Sequence, residues 1–390
     1  MTPGPATPRA ATPGPGTPAD DAVLDLGDIR ITDTPRVGPK VARLGQLASA
    51  GWQVPDGYAV TVHALRSWLP PGAKSEIEQL IAGLSGTAMA HDPAALGRVS
   101  ERAQALIESQ PLPSWLADAV FAAHERLRAR TGRGHHLRVA VRSSAVGEDS
   151  AGASFAGQYS TFLGIQDSTD VLHHIRKCWA SGYAAWALQY RRRAGLPLHA
   201  HDLAVGVMEL VDARSAGVVF TLDPVTGDRD RMVVEANWGF GESVVSGQVT
   251  PDYWAVDRAS GRIGERRVGG KHMWMVFDLA AAKVVPMPLP ADLARQPCLN
   301  DDEVRYLCRK AGEIEDAEGV PQDVEWAIAC DVPFPDSVFI LQHRPETTWP
   351  AAPTSVSAPA PAANAPGSAA QPSFDPVQYA LRNVFKVPGA

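Results

Sequence analysis

Apolar side chains recur at every second position in two stretches late in the chain: Val324, Trp326 and Ile328 in one, Phe339 and Leu341 in the other. The first follows Val320 and reads Val-Pro-Gln-Asp-Val-Glu-Trp. The second continues into Leu-Gln-His-Arg-Pro at residues 341–345. A period of two predicts two strands whose polar side chains share one face. Residues 331–336, Asp-Val-Pro-Phe-Pro-Asp, have the composition of a turn between them. If the strands pair as a hairpin, one register sets Glu325 opposite Gln342 and Asp323 opposite Arg344. Carboxylate and amide oxygens suit Mg²⁺, and a guanidinium suits phosphate. The same four residues would also make a cross-strand ion pair on a solvated sheet face. His343 should point away from the set if the strand is regular.

The longer period of a helix appears elsewhere. Residues 168–193 carry apolar positions at helical spacing and end in Arg191, Arg192 and Arg193 before Gly195, which are stop signals. Residues 115–130 form another amphipathic pattern. Asn300 with Glu303 three residues on predicts a capped helix start, and that helix should end near Gly319. Residues 139–145 read as a β-branched strand running into a small, hydroxyl-rich loop.

Composition bounds the architecture. A chain of 390 residues that is 45% hydrophobic can bury the cores of two lobes. The net charge of −7 argues against nucleic acid as a partner. The first 22 residues are rich in Pro, Thr, Ala and Gly and lack the apolar core of a signal peptide, so a disordered tail is expected. No run reaches the length of a membrane span. Cys178, Cys298, Cys308 and Cys330 have no metal-like spacing and read as reduced thiols of a cytoplasmic protein. Residues 350–372 have a linker's Ala/Pro/Ser composition. Residues 373–390 then place Val377, Leu381, Val384 and Phe385 at helical spacing, as in a short docking helix.

Three further clusters carry candidate chemistry. Residues 141–145 (Val-Arg-Ser-Ser-Ala) and 153–157 (Ala-Ser-Phe-Ala-Gly) offer Arg142, Ser143, Ser144 and Ser154 to phosphate oxygens. Residues 38–45 (Gly-Pro-Lys-Val-Ala-Arg-Leu-Gly) place Lys40 at a helix start, which is electrostatically poor unless it faces an anion. Residues 216–227, 238–242 and 251–253 add a Phe-Thr-Leu-Asp-Pro-Val-Thr-Gly run, a Trp-Gly-Phe-Gly-Glu segment and Pro-Asp-Tyr. In this order and spacing, over residues 28–349, the chain resembles the nucleotide-binding domain of the phosphoenolpyruvate synthase and pyruvate phosphate dikinase family. Within that family it looks most like the ATP-binding subunit of phenylphosphate synthase.

The resemblance implies an α+β, two-lobed ATP-grasp fold whose antiparallel sheets clasp ATP, with lobes at residues 23–200 and 201–349. It implies ATP and Mg²⁺ as cofactors. Lys40 and Arg142 would bind the triphosphate, and Glu325 and Gln342 the metal. Arg344 would steady the transferring phosphoryl group, and Asp323 would hold the metal or Arg344. Glu209 would border adenine, and Glu242 belongs to the nucleotide-binding set. Pro39, Val41 and Arg43 depart from the family's Gly, Gly and Asn, and Met208 and Glu209 stand where Gln-Lys is common. The Gly-Gly-x-Thr-x-His-x-Ala segment of whole dikinases is missing among the 11 histidines. A separate subunit carrying the phosphorylatable His and the acceptor site is therefore the expected partner. The expected acceptor is phenol or a similar small hydroxyl compound, with pyruvate the alternative. A non-catalytic nucleotide sensor and a direct phosphotransferase are the other readings.

Overall fold

The computed structural model describes residues 21–85, 92–147, 160–193, 195–198 and 202–349. Two antiparallel sheets organise these residues. The first runs in the order β1 (Val23–Asp25), β2 (Gly57–Val60), β5 (Leu203–Glu209), β3 (Val139–Ala145) and β4 (Thr161–Ile165). The second runs β13 (Val338–Pro345), β12 (Gln322–Ala329), β6 (Ala213–Phe220), β7 (Arg231–Trp238), β8 (Asp252–Asp257) and β9 (Ile263–Arg267). A separate hairpin pairs β10 (Met273–Asp278) with β11 (Lys283–Pro288). This is the expected mixed fold with antiparallel sheets.

Ten α-helices among the described residues complete the lobes. In the first are α1 (Thr34–Ser49), α2 (Val62–Trp68), α3 (Pro71–Ala82), α4 (Pro93–Ser109), α5 (Ser114–Thr131), α6 (Ser168–Ser181) and α7 (Ala185–Arg193). In the second are the short α8 (Glu242–Val245) and α9 (Ala291–Ala294), and the long α10 (Asp301–Glu318). The first-lobe core joins Trp68, Ile77, Leu127 and Trp179 to the buried side of β2, β3 and β5. The second-lobe core joins Val304, Leu307 and Ile314 of α10 to Val324, Trp326 and Ile328. The period-two apolar set thus packs on a helix, which leaves Glu325 and its polar neighbours for the opposite face.

Several sequence expectations shift. The 168–193 helix is two helices, because Ser181 Oγ donates to Cys178 O at 2.6 Å and Gly182 closes the turn onto Trp179 O at 3.2 Å. The lobe division at residue 200 falls too early. β5 is buried along nearly its whole length and pairs with both β2 and β3, so the chain leaves the first sheet only at 210–212. The last residue of the expected disordered tail belongs to the fold, since Ala22 is fully buried in the first-lobe core. The rest of that tail, the linker at 350–372 and the helix at 373–390 lie outside the described residues. The predicted caps of α10 are present: Asn300 Oδ1 accepts from Glu303 N at 3.0 Å, Glu303 Oε2 accepts from Asn300 N at 2.9 Å, and Gly319 ends the helix at φ 72°.

One helix belongs to both lobes. Val37, Val41 and Leu44 of α1 pack with Ala59, Ala204 and Met208 of the first sheet, while Leu47 enters the second-lobe core. Just beyond it, Gln53 O accepts from Ile340 N of β13 at 2.9 Å. α1 is kinked where Gly38 adopts φ 72°, and Pro39 then starts its continuous helical part, where a missing N–H costs nothing. A Cβ at residue 38 would collide with Ser144, so glycine is required there twice over.

His343 sits on the α1 side of β13, fully buried, with Nδ1 3.1 Å from Gln322 Oε1. Burial first, and Arg43 second, push its imidazole down to about 4. The folded chain holds this ring neutral, whereas the unfolded chain protonates it near pH 6.5. Its stabilising contribution is therefore complete above about pH 6.5 and is lost as pH falls through about 4. Urea unfolding between pH 7 and 4 should show this loss, and His343→Gln should flatten the slope in that window.

Candidate active site

The hairpin of β12 and β13 forms in the anticipated register, with Glu325 opposite Gln342 and Asp323 opposite Arg344. Past Glu325 the ladder slips by one residue, so Trp326 faces Ile340 and Leu341 is the extra residue. Such a bulge adds local twist beside a functional pair. On its other side β12 pairs with β6, with Glu325 opposite Val218 and Ala327 opposite Ala216.

A cavity of about 340 Å³ lies between the two sheets. At one end it is lined by Lys40, Arg142, Glu325, Gln342 and Arg344. Towards the other end the walls become apolar, with Leu163, Leu210, Val211, Ala213, Ala216 and Phe240. Glu209 and Glu242 line it as well, and burial pushes the Glu242 carboxyl up. A charged end and an apolar end match a triphosphate and a flat base.

Arg142 closes the charged end from across the cleft. It projects from β3 of the first lobe, and its Nη2 donates to Gln342 Oε1 at 2.8 Å and lies 3.6 Å from Glu325 Oε2. Its Nη1 donates to Leu341 O at 3.4 Å. Two oxygens from neighbouring strands thus converge on one cationic nitrogen, which marks a point suited to a metal ion. Among the described residues no group of three or more His, Cys, Asp or Glu could hold a metal. A Mg²⁺ here would take Glu325 and Gln342 from the protein and its other oxygens from phosphates and water, as is usual for this ion.

Asp323 does not line the cavity. Its Oδ2 accepts from Arg344 Nε at 3.1 Å and lies 3.0 Å from Nη2, so of its two expected roles it takes the second, holding Arg344. Burial pushes its carboxyl up to about 6 against the pull of that guanidinium. Ser143 and Ser144 stand behind the main cavity rather than in it. Ser143 Oγ donates to Ser160 O at 3.2 Å and lines a small adjoining pocket with Lys40, Arg142 and Gln342. Ser144 is 1% exposed and its Oγ has no partner among the described residues. Ser154 lies outside the described residues. Glu209 Oε1 accepts from Arg133 Nε at 3.0 Å, a partner the sequence did not suggest. The apolar walls were missed too, although the short run Leu210-Val211 after β5 was their available signal. Pro251-Asp252-Tyr253 proves structural: Asp252 and Lys271 are a fully buried ion pair, and Asp252 also accepts from Gly269 N and Cys298 N at 2.8 Å each.

Two lobes of antiparallel sheet around such a cleft define an ATP-grasp-like nucleotide-binding domain. Residues 34–362 match the family model for the pyruvate phosphate dikinase AMP/ATP-binding domain, and the chain belongs to that family. It is 36% identical over 345 residues to a probable phosphoenolpyruvate synthase of Staphylothermus marinus, covering 83% of this chain and 41% of that protein. It is 38% identical over 312 residues to the probable phosphoenolpyruvate synthase of Methanothermobacter thermautotrophicus, covering 80% and 44%. Against the phosphoenolpyruvate synthase of Aeropyrum pernix it is 34% identical over 351 residues, covering 84% and 42%. The chain thus spans about two-fifths of the length of these relatives. None of its described helices is long and apolar enough to cross a membrane.

Arg142 supplies both a lobe-to-lobe contact and a phosphate-sized fork. Arg142→Ala should weaken Mg²⁺–ATP binding by at least about tenfold, the scale of one lost charge-assisted hydrogen bond. Arg142→Lys should recover only part of it, because the point charge returns without the fork. Isothermal titration calorimetry measures both, and unchanged affinity in the alanine variant would contradict the assignment.

Proposed function

We propose that this chain binds Mg²⁺–ATP between its lobes and serves as the phosphoryl-donating half of a dikinase of the phosphoenolpyruvate synthase type. The carrying observation is the meeting of Arg142 with the Glu325–Gln342 pair across the cleft. Lys40 and Arg142 bind the triphosphate, and Glu325 and Gln342 hold the metal. Arg344, steadied by Asp323, stabilises the group in transfer. A bound Mg²⁺ neutralises phosphate charge, and the protein's share of the work is positioning and electrostatic support. The apolar end, with Glu209 and Glu242 at its margin, takes the nucleoside. In this reading a histidine of a separate subunit accepts the phosphoryl group and passes it on.

The acceptor is read from the relatives' names, which put pyruvate ahead of phenol. The phenylphosphate synthase reading rests on sequence resemblance alone and stands second. A purely sensory role is disfavoured by the complete charged set in one cleft.

Nucleotide analysis tests the proposal. The chain is incubated with Mg²⁺–ATP and a histidine-bearing partner subunit, adding pyruvate or phenol in turn. The expected result is AMP, phosphate and phosphoenolpyruvate from pyruvate, abolished by Glu325→Ala. ADP as the sole nucleotide product would refute the dikinase reading, and phenol-dependent AMP would move the acceptor to phenol.

A further inference from the structure

At the apolar end of the cavity the side chain of Glu209 is fixed from behind. Glu209 ends β5 and lines the cavity beside Leu210 and Val211. Its side chain is 16% exposed, and Oε1 accepts from Arg133 Nε at 3.0 Å. Arg133 does not line the cavity. Its Nη1 donates instead to Asp331 Oδ2 at 2.7 Å, in the loop joining β12 to β13 of the other lobe. One guanidinium thus grips a carboxylate from each lobe at the end of the cleft away from Arg142.

The hydrogen-bonding character of this edge is set by what is already spent. The backbone N–H of Glu209 donates to Asp56 O at 2.7 Å, and that of Leu210 donates to Arg138 O at 2.8 Å. Two donors that could read a base edge are thereby consumed. Glu209 Oε2 accepts no hydrogen bond from any described residue. A carboxylate beside an apolar slot is costly to desolvate and keeps one orientation only if a partner fixes it. Arg133 is that partner. The edge therefore offers a fixed acceptor. An amino group on the base, as on adenine N6, satisfies it, whereas a carbonyl such as guanine O6 meets it with like polarity.

We propose that Arg133 is a positioning residue for base selection, holding the Glu209 carboxylate so that the cleft favours purine nucleotides with an amino group, rather than a carbonyl, at position 6 of the base. The inference rests on the reading of the cleft as a nucleotide site and adds the residue pair that selects the base.

The test uses the full chain and the Mg²⁺ complexes of the β,γ-methylene analogues of ATP and GTP, with dissociation constants from calorimetry. The wild type should prefer the ATP analogue by at least about tenfold, the scale of one hydrogen bond to a charged group. In Arg133→Ala that ratio should collapse towards one, through loss on the ATP arm. Asp331→Ala breaks only the inter-lobe half of the grip and should retain the preference. An unchanged ratio in Arg133→Ala would overturn the proposal. So would an equal collapse in Asp331→Ala, which would make Arg133 a lobe clasp instead. Equal affinities in the wild type would overturn base selection alone. Failure of both analogues to bind would overturn the nucleotide reading beneath it.

Discussion

The register of β12 against β13 is the constraint on which the site depends. Because strand side chains alternate, a slip of one residue would send Glu325 and Asp323 into the α10 core and bring Val324 and Trp326 into the cleft. Burial of the apolar set against α10 prevents that slip. Trp326 is 0% exposed and Val324 1%, so the hydrophobic side of the strand fixes where its charged side goes. The bulge after Glu325 then lets the hairpin regain its pairing without disturbing the Glu325–Gln342 match.

The second lobe supplies Glu325, Gln342 and Arg344 and the first supplies Lys40 and Arg142, so the charged end of the cleft is complete only when both are present. α1 links these halves, carrying Lys40 while its two ends belong to different cores. At one end of the cleft Arg142 reaches Gln342 and Glu325, and at the other Arg133 joins Glu209 to Asp331. Much of the local electrostatics is therefore shared between lobes, and relative lobe movement changes the charged end and the base edge together. Exposed pairs such as Arg133–Asp331 contribute little stability.

What was legible in the sequence was local or periodic. Alternation gave the β12–β13 hairpin and its register, and cap chemistry gave the start and end of α10. The dikinase resemblance ordered the rest. What was not legible depends on tertiary pairing. β5 joins the first sheet although it follows residue 200, because a strand buried on both faces carries no sign in its sequence of the sheet it joins. Ser143 and Ser144 look like phosphate ligands in the linear motif, yet the close approach of Gly38 sets Ser144 beneath the kink of α1. The linear motif allows Asp323 two roles, and the contact with Arg344 selects one of them. Arg133 belongs to no motif, and only the fold brings it to Glu209.

The central claim is that Glu325 and Gln342 hold the divalent ion that accompanies the nucleotide. Electron paramagnetic resonance of Mn²⁺, substituted for Mg²⁺ and titrated with the β,γ-methylene analogue of ATP, tests it directly. Bound Mn²⁺ should appear with nucleotide in the wild type, and its affinity should fall by at least about tenfold in Glu325→Ala, the scale expected for a lost charged partner. A nucleotide-dependent Mn²⁺ signal of undiminished affinity in that variant would contradict the account.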